Sequence, residues 1–128
     1  MGSTSLNSNY RILVVDDEQD VNNFLVTLLE TEGFSTDSAL SGREAIEKVK
    51  NNDYDLILLD IMMDDIDGIE VGRIIRYELK KKIPICMITA SLDFTNALKA
   101  FDIGVEGYIV KPFDITELLT KIQEILNI

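Results

Sequence analysis

The 128-residue chain contains no histidine. That removes Ser-His-Asp and Cys-His catalysis and the usual zinc sites, so any chemistry must run on carboxylates, lysine, hydroxyls or tyrosine. There is one cysteine, Cys86, inside the apolar stretch IPICMITA. A lone cysteine forms no internal disulfide, which makes a reducing cytoplasm the expected setting and Cys86 a small core residue. No apolar run approaches the roughly 20 residues needed to cross a bilayer, so neither a signal peptide nor membrane association is expected. Positive charge is scarce: 12 Lys and Arg stand against 23 Asp and Glu, a formal net charge of −11. Without a basic stripe the chain is a poor match for a phosphate backbone, and no direct nucleic-acid contact is expected. Such acidity suits cations and basic partner surfaces.

What is present is a regular alternation of strands and helices. Residues 1–9, MGSTSLNSN, are small and polar without a period and read as a disordered leader or as residues left from cloning. From Tyr10 onward, RILVVD reads as a buried strand. Val21, Phe24, Leu25, Leu28 and Leu29 then recur at helical spacing, with Gly33 as the stop. FSTDSA is a weak, polar strand suited to a sheet edge. Ser41 with Glu44 forms a capping box for a helix carrying Ala45, Ile46 and Val49. DLILLD is the most apolar strand and belongs in the middle. Ile69, Val71, Gly72, Ile74, Ile75 and Leu79 predict a third helix, PICMIT a fourth strand, and FTNALKAFDIG a short helix with Ala97, Leu98 and Phe101 inward. GYIV is the fifth strand. Asp114 with Glu117 opens a last helix bearing Ile115, Leu118, Leu119, Ile122 and Leu126. Near-continuous apolar strands joined by helices imply an α/β domain over residues 10–128. The expected form is a (βα)5 doubly wound parallel sheet, flavodoxin-like, with strand order 2-1-3-4-5 and the weak second strand on the edge.

The segment DLILLDIMMDDIDGIE drives a buried strand into Asp60, and Asp64, Asp65 and Asp67 follow. Like charges at close range cost free energy unless a cation or a reaction uses them. In open parallel sheets, ligands bind outside the carboxyl ends of the strands, near the point where strand order reverses. The first strand ends in Asp16 and Asp17, the third in Asp60, the fourth in Thr89 and the fifth in Lys111. The expected order brings these residues to one rim. Three carboxylates, a hydroxyl and an ammonium there suit a divalent cation together with an oxyanion. Singly, each has a plainer role: Asp17 as a helix cap, Asp60 as a turn residue, Lys111 as a surface lysine. Their joint placement favours the site. Asp64, Asp65 and Asp67 read as a solvated turn, and Gly68 as a tight turn or the start of the next helix.

VVDDE, LILLDIMMDDIDG, ITA and GYIVKPF, in that order and spacing, resemble the receiver domain of two-component response regulators. The resemblance covers nearly the whole chain from Tyr10. It implies that Asp60 accepts a phosphoryl group from a phosphohistidine on a sensor histidine kinase or a histidine phosphotransfer protein. It implies Mg²⁺ held by Asp16 or Asp17, Asp60 and the carbonyl of Met62. Thr89 and Lys111 would contact the phosphoryl oxygens, and Tyr108 would be a rotating switch aromatic. The module would catalyse its own phosphorylation and dephosphorylation, not a metabolic reaction. The face of the fourth helix, fifth strand and last helix would signal to a downstream protein or to an effector domain absent from this chain. A cis Lys111–Pro112 bond is expected, since the turn must aim Lys111 inward while the last helix starts at once.

One departure stands out: the family usually has proline where this chain has Asp64, and proline would stiffen the loop by fixing φ. Other readings fit less well. Phosphatases of the haloacid dehalogenase type usually carry a second Asp two residues after the nucleophile, where this chain has Met62, and 128 residues leave no room for their cap domain. A dinucleotide module needs a glycine-rich first turn, whereas VVDDEQD would repel a pyrophosphate. An adaptor that uses the fold without phosphorylation would not need the intact five-residue set.

Overall fold

The computed structural model of the protein describes residues 7–90 and 93–128. Five strands, β1 (Arg11–Val15), β2 (Ser35–Ala39), β3 (Leu56–Asp60), β4 (Ile85–Thr89) and β5 (Gly107–Val110), form one sheet in the order β2-β1-β3-β4-β5. Every pairing is parallel. The helices are α1 (Gln19–Thr31), α2 (Gly42–Asn51), α3 (Gly68–Arg73), α4 (Phe94–Asp102) and α5 (Ile115–Leu126). The expected architecture is the one observed. No helix among the described residues is long and apolar enough to cross a membrane.

Strand alternation sends side chains to two faces, and each face has its own core. Leu13, Val15, Ile57, Leu59, Ile85 and Met87 pack under α2, α3 and α4, with Ala45, Val49, Val71, Ile75, Ala100 and Ile103. Ile12, Val14, Leu56, Leu58, Cys86, Ile88 and Ile109 pack under α1 and α5, with Leu25, Leu29, Leu118 and Ile122. Cys86 is a fully buried member of that second core, and burial pushes its thiol up to about 12. The polar β2 is tolerated at the edge because its central Asp37 is satisfied. It accepts from Tyr54 Oη at 2.7 Å, Lys48 Nζ at 3.0 Å and Arg11 Nη2 at 3.4 Å.

Local signals act as read. Ser41 Oγ accepts from the Glu44 N–H at 3.0 Å, while Glu44 Oε1 accepts from the Leu40 N–H at 2.7 Å, one residue further back than in the usual capping box. Gly33 ends α1 at φ +93°, a conformation that favours glycine. Asp114 accepts from the Glu117 N–H at 2.7 Å and caps α5, and the Lys111–Pro112 bond is cis. Beyond Arg73, α3 continues through a wider turn, Ile74–Glu78, with the Leu79 N–H reaching the Ile74 carbonyl. Arg76 in that turn donates to the Ile83 carbonyl at 2.6 Å and to Glu106 at 2.9 Å. It thereby ties α3 to the lower edge of β4 and β5.

Two expectations need correction or restriction. Helix α4 does not turn Leu98 and Phe101 inward: they are 51% and 80% exposed, with Phe94 at 74%. FTNALKAFDIG carries two apolar stripes, and the one with small side chains, Ala97 and Ala100, faces the sheet. Small residues let a helix sit close; Ile103 fills the remaining space opposite Gly72, where a Cβ would meet its Cδ1 at 2.6 Å. As for the leader expected over residues 1–9, positions 1–6 lie outside the described residues, while the Asn7 side-chain amide donates to the Glu32 carbonyl at 2.6 Å.

Candidate functional site

The carboxyl ends of β1, β3, β4 and β5 bring Asp16, Asp17, Asp60, Thr89 and Lys111 to one rim. Asp16, Asp60 and Thr89 are almost fully buried. Each of Asp16, Asp17 and Asp60 offers a carboxylate oxygen within 4.8 Å of the other two. Lys111 Nζ reaches in from β5, 3.1 Å from Asp16 Oδ2 and 3.8 Å from Asp60 Oδ2. The Lys111 N–H also donates to the Thr89 carbonyl at 2.7 Å, which sets the ends of β4 and β5 side by side. Met62 is exposed beside Asp60, and its N–H donates to Asp60 Oδ1 at 3.2 Å.

Burial pushes the Asp60 carboxyl up to about 6; Lys111 pulls against this, and the charges of Asp16 and Asp17 add to it. One ammonium therefore does not balance the cluster. A hard cation with oxygen ligands would, and Mg²⁺ needs only one or two carboxylates alongside its waters, so this donor set fits it.

Tyr108 lies on β5 in register with Met87 and packs into the core under α4. Its hydroxyl is buried without a hydrogen-bond partner among the described residues. A groove beside it is lined by Ala97, Ala100, Phe101 and Lys121.

Asp17 does not cap α1; the residue at that position is Glu18, which makes no side-chain cap bond. Of the acidic residues after Asp60, Asp67 caps α3 through the Glu70 N–H at 2.9 Å. Asp65 accepts from the Gly42 and Arg43 N–H groups, both at 3.0 Å, at the start of α2. These are structural roles, more specific than a solvated turn. The sequence reading missed Asn22. Its buried amide donates to the carbonyls of Asp16 at 3.1 Å and Ala39 at 3.0 Å, fixing the main chain under Asp16. A signal was there: Asn22 falls on the inward stripe with Leu25 and Leu29, where a lone polar residue needs a partner.

Comparison with known proteins agrees with this geometry. Residues 12–123 match the family model of the response regulator receiver domain. The response regulator ArlR of Staphylococcus saprophyticus is 43% identical over 117 residues, 91% of this chain and 52% of that protein. The chain thus spans about half the length of the curated relatives it matches. Among solved structures, a CheY-like receiver domain protein from Methanospirillum hungatei superposes with TM-score 0.88 at 30% identity, covering 92% of this chain and 94% of that one. TrrA from Thermotoga maritima, solved in complex with Mg²⁺-BeF, gives TM-score 0.82 at 38% identity, covering 91% of this chain and 98% of that one. The chain belongs to the response regulator receiver family, the phosphoacceptor domains of two-component signalling.

A crowded carboxylate should make metal-free stability depend on pH. The folded state holds the Asp60 proton up to about pH 6, whereas the ordinary value is 3.8, so between these pH values the folded state binds more protons than the unfolded one. Stability from this residue is therefore full below the lower value and lost as pH rises through the upper one, a fall of up to about 3 kcal/mol. Thermal melts of the metal-free protein should show this slope, and Asp60→Asn should remove it. Millimolar Mg²⁺ should raise the melting temperature above pH 6, because it binds the folded state. A melting temperature indifferent to both pH and Mg²⁺ would count against a strained acidic site.

Proposed function

We propose that Asp60 is the phosphoacceptor of this receiver and that Asp16, Asp17, Asp60 and the Met62 carbonyl hold Mg²⁺. The observation that carries this reading is the convergence of three carboxylates and Lys111 on the end of the central strand. When bound, Mg²⁺ shields the repulsion between a carboxylate and the oxygens of the incoming phosphoryl group. The protein's own groups do the rest. An Asp60 oxygen forms the new bond to phosphorus as the phosphorus–nitrogen bond of a phosphohistidine breaks. Lys111 is close enough to move from Asp16 to a phosphoryl oxygen, supplying a point positive charge. The Thr89 hydroxyl donates a hydrogen bond to another oxygen.

The donor is a sensor histidine kinase or a histidine phosphotransfer protein, since this chain has no histidine of its own. The receiver spans residues 10–128 and works in the cytoplasm, and its dephosphorylation is intrinsic. Its output goes to a protein partner or an effector domain, without direct nucleic-acid contact by this domain.

The output face is α4, β5 and α5. The buried hydroxyl of Tyr108, without a hydrogen-bond partner among the described residues, supports this, because such a polar group is poorly held and a modest change beside Thr89 can tip the ring to another packing. Acetyl phosphate with Mg²⁺ should add one phosphoryl group by mass spectrometry; an unlabelled protein would sink the reading. Beryllofluoride with Mg²⁺, the combination bound in the TrrA structure, should shift the amide resonances of Tyr108 and of α4. Changes confined to the acidic rim would argue against the switch.

A further inference from the structure

The Asp64 main chain carries an N–H that a proline at this position would lack. Here that N–H donates to Asp17 Oδ2 at 3.1 Å, across 47 positions of sequence. The next residue, Asp65, accepts from the Gly42 and Arg43 N–H groups, which have no partner within α2. On the far side the Gly68 N–H returns to the Ile61 carbonyl at 2.8 Å. The loop is thus pinned by hydrogen bonds to β1's end, to α2 and to β3.

We infer that the Asp64 main-chain N–H is a positioning donor for Asp17, and that Asp65 is a positioning residue that holds this N–H in place by anchoring the loop to α2. The inference rests on the reading of Asp16, Asp17 and Asp60 as a Mg²⁺ site. Asp17 is the least buried of the three carboxylates, so repulsion from the other two would swing it outward. A hydrogen bond to a charged acceptor is roughly twice as strong as a neutral one. It fixes one oxygen of Asp17 and leaves the other for the cation. The ordering of Asp17 is then complete before the metal arrives, and preorganisation of this kind raises affinity. The charge of the Asp64 side chain is a separate attraction, screened by salt.

The test is Mg²⁺ titration of the metal-free protein, followed by amide resonances at high salt. If the wild type shows no saturable binding, the metal reading itself fails. If it binds, Asp64→Pro, which removes the N–H, should weaken binding by about fivefold, and Asp64→Ala, which removes only the charge, by less than about twofold. Equal affinity in wild type and Asp64→Pro, or equal loss in both variants, overturns the inference. Proline also fixes φ, so a second measurement leaves the loop sequence intact. In Asp17→Ala the Asp64 amide should exchange with solvent several-fold faster while the Gly68 amide does not change. Unaltered exchange at Asp64 overturns the inference as well. Asp65→Ala should free the Gly42 and Arg43 amides and weaken Mg²⁺ binding about two- to threefold; wild-type affinity there removes Asp65 from the scheme.

Discussion

Asp60→Asn should take up no phosphoryl group from acetyl phosphate and Mg²⁺ under conditions that label the wild type fully. The substitution keeps size and shape, and the Asn oxygen can still accept the Met62 N–H that Asp60 Oδ1 accepts at 3.2 Å. Lys111 keeps its 3.1 Å contact with Asp16. What disappears is the nucleophile, because an amide oxygen is a far poorer one than a carboxylate. The charge that crowds Asp16 and Asp17 disappears with it, so the metal-free variant should melt higher than wild type. Loss of labelling in a protein that is more stable separates lost chemistry from lost structure. Mass spectrometry of the intact protein and circular dichroism melts together decide it. Labelling of Asp60→Asn at the wild-type level would move the acceptor to Asp16 or Asp17.

The rim was legible because a parallel sheet writes its site into strand ends. RILVVD, DLILLD, PICMIT and GYIV have apolar interiors, and the polar residues at or just past their carboxyl ends are forced to the same rim once the strand order is known. The order itself followed from one weak strand, β2. Residues whose roles depend on pairing between loops were not legible. Asp65 caps a helix 22 positions earlier in the sequence, and Asp64 reaches Asp17 through its main chain, which carries no sequence signal. The inward face of α4 was misjudged for a different reason. Hydrophobicity favours burying Leu98 and Phe101, but the space over β4 and β5 admits Ala97 and Ala100, and the large side chains are left on the outside.

Gly68→Ala should be the most damaging single-carbon change at the site. A Cβ on residue 68 would lie 2.2 Å from the Asp60 carbonyl oxygen, 2.8 Å from Ile61 Cα and 2.9 Å from the Asp60 carbonyl carbon. All three are main-chain atoms at the end of β3, so no side chain can turn aside. Either α3 retreats or the strand end carrying Asp60 is displaced. Overpacking of this kind costs about 2–3 kcal/mol, or a melting temperature lower by roughly 10 °C. Retreat of α3 would strain the Gly68 N–H bond to the Ile61 carbonyl, and displacement of β3 would carry Asp60 away from Lys111 and Asp16. Both routes end in weaker Mg²⁺ binding and slower phosphorylation, by an expected tenfold or more for a displacement approaching an ångström. Gly104→Ala is the comparison. Gly104 has φ +75° but nothing within 4 Å of an added Cβ, and it precedes β5 at the amino end of the strands, away from the carboxyl ends that carry the site. It should cost about 1 kcal/mol through backbone strain alone and leave Mg²⁺ affinity and labelling at wild-type levels. Equal losses of Mg²⁺ affinity in the two variants would mean that general destabilisation, not contact with the Asp60 main chain, explains the requirement for glycine at position 68.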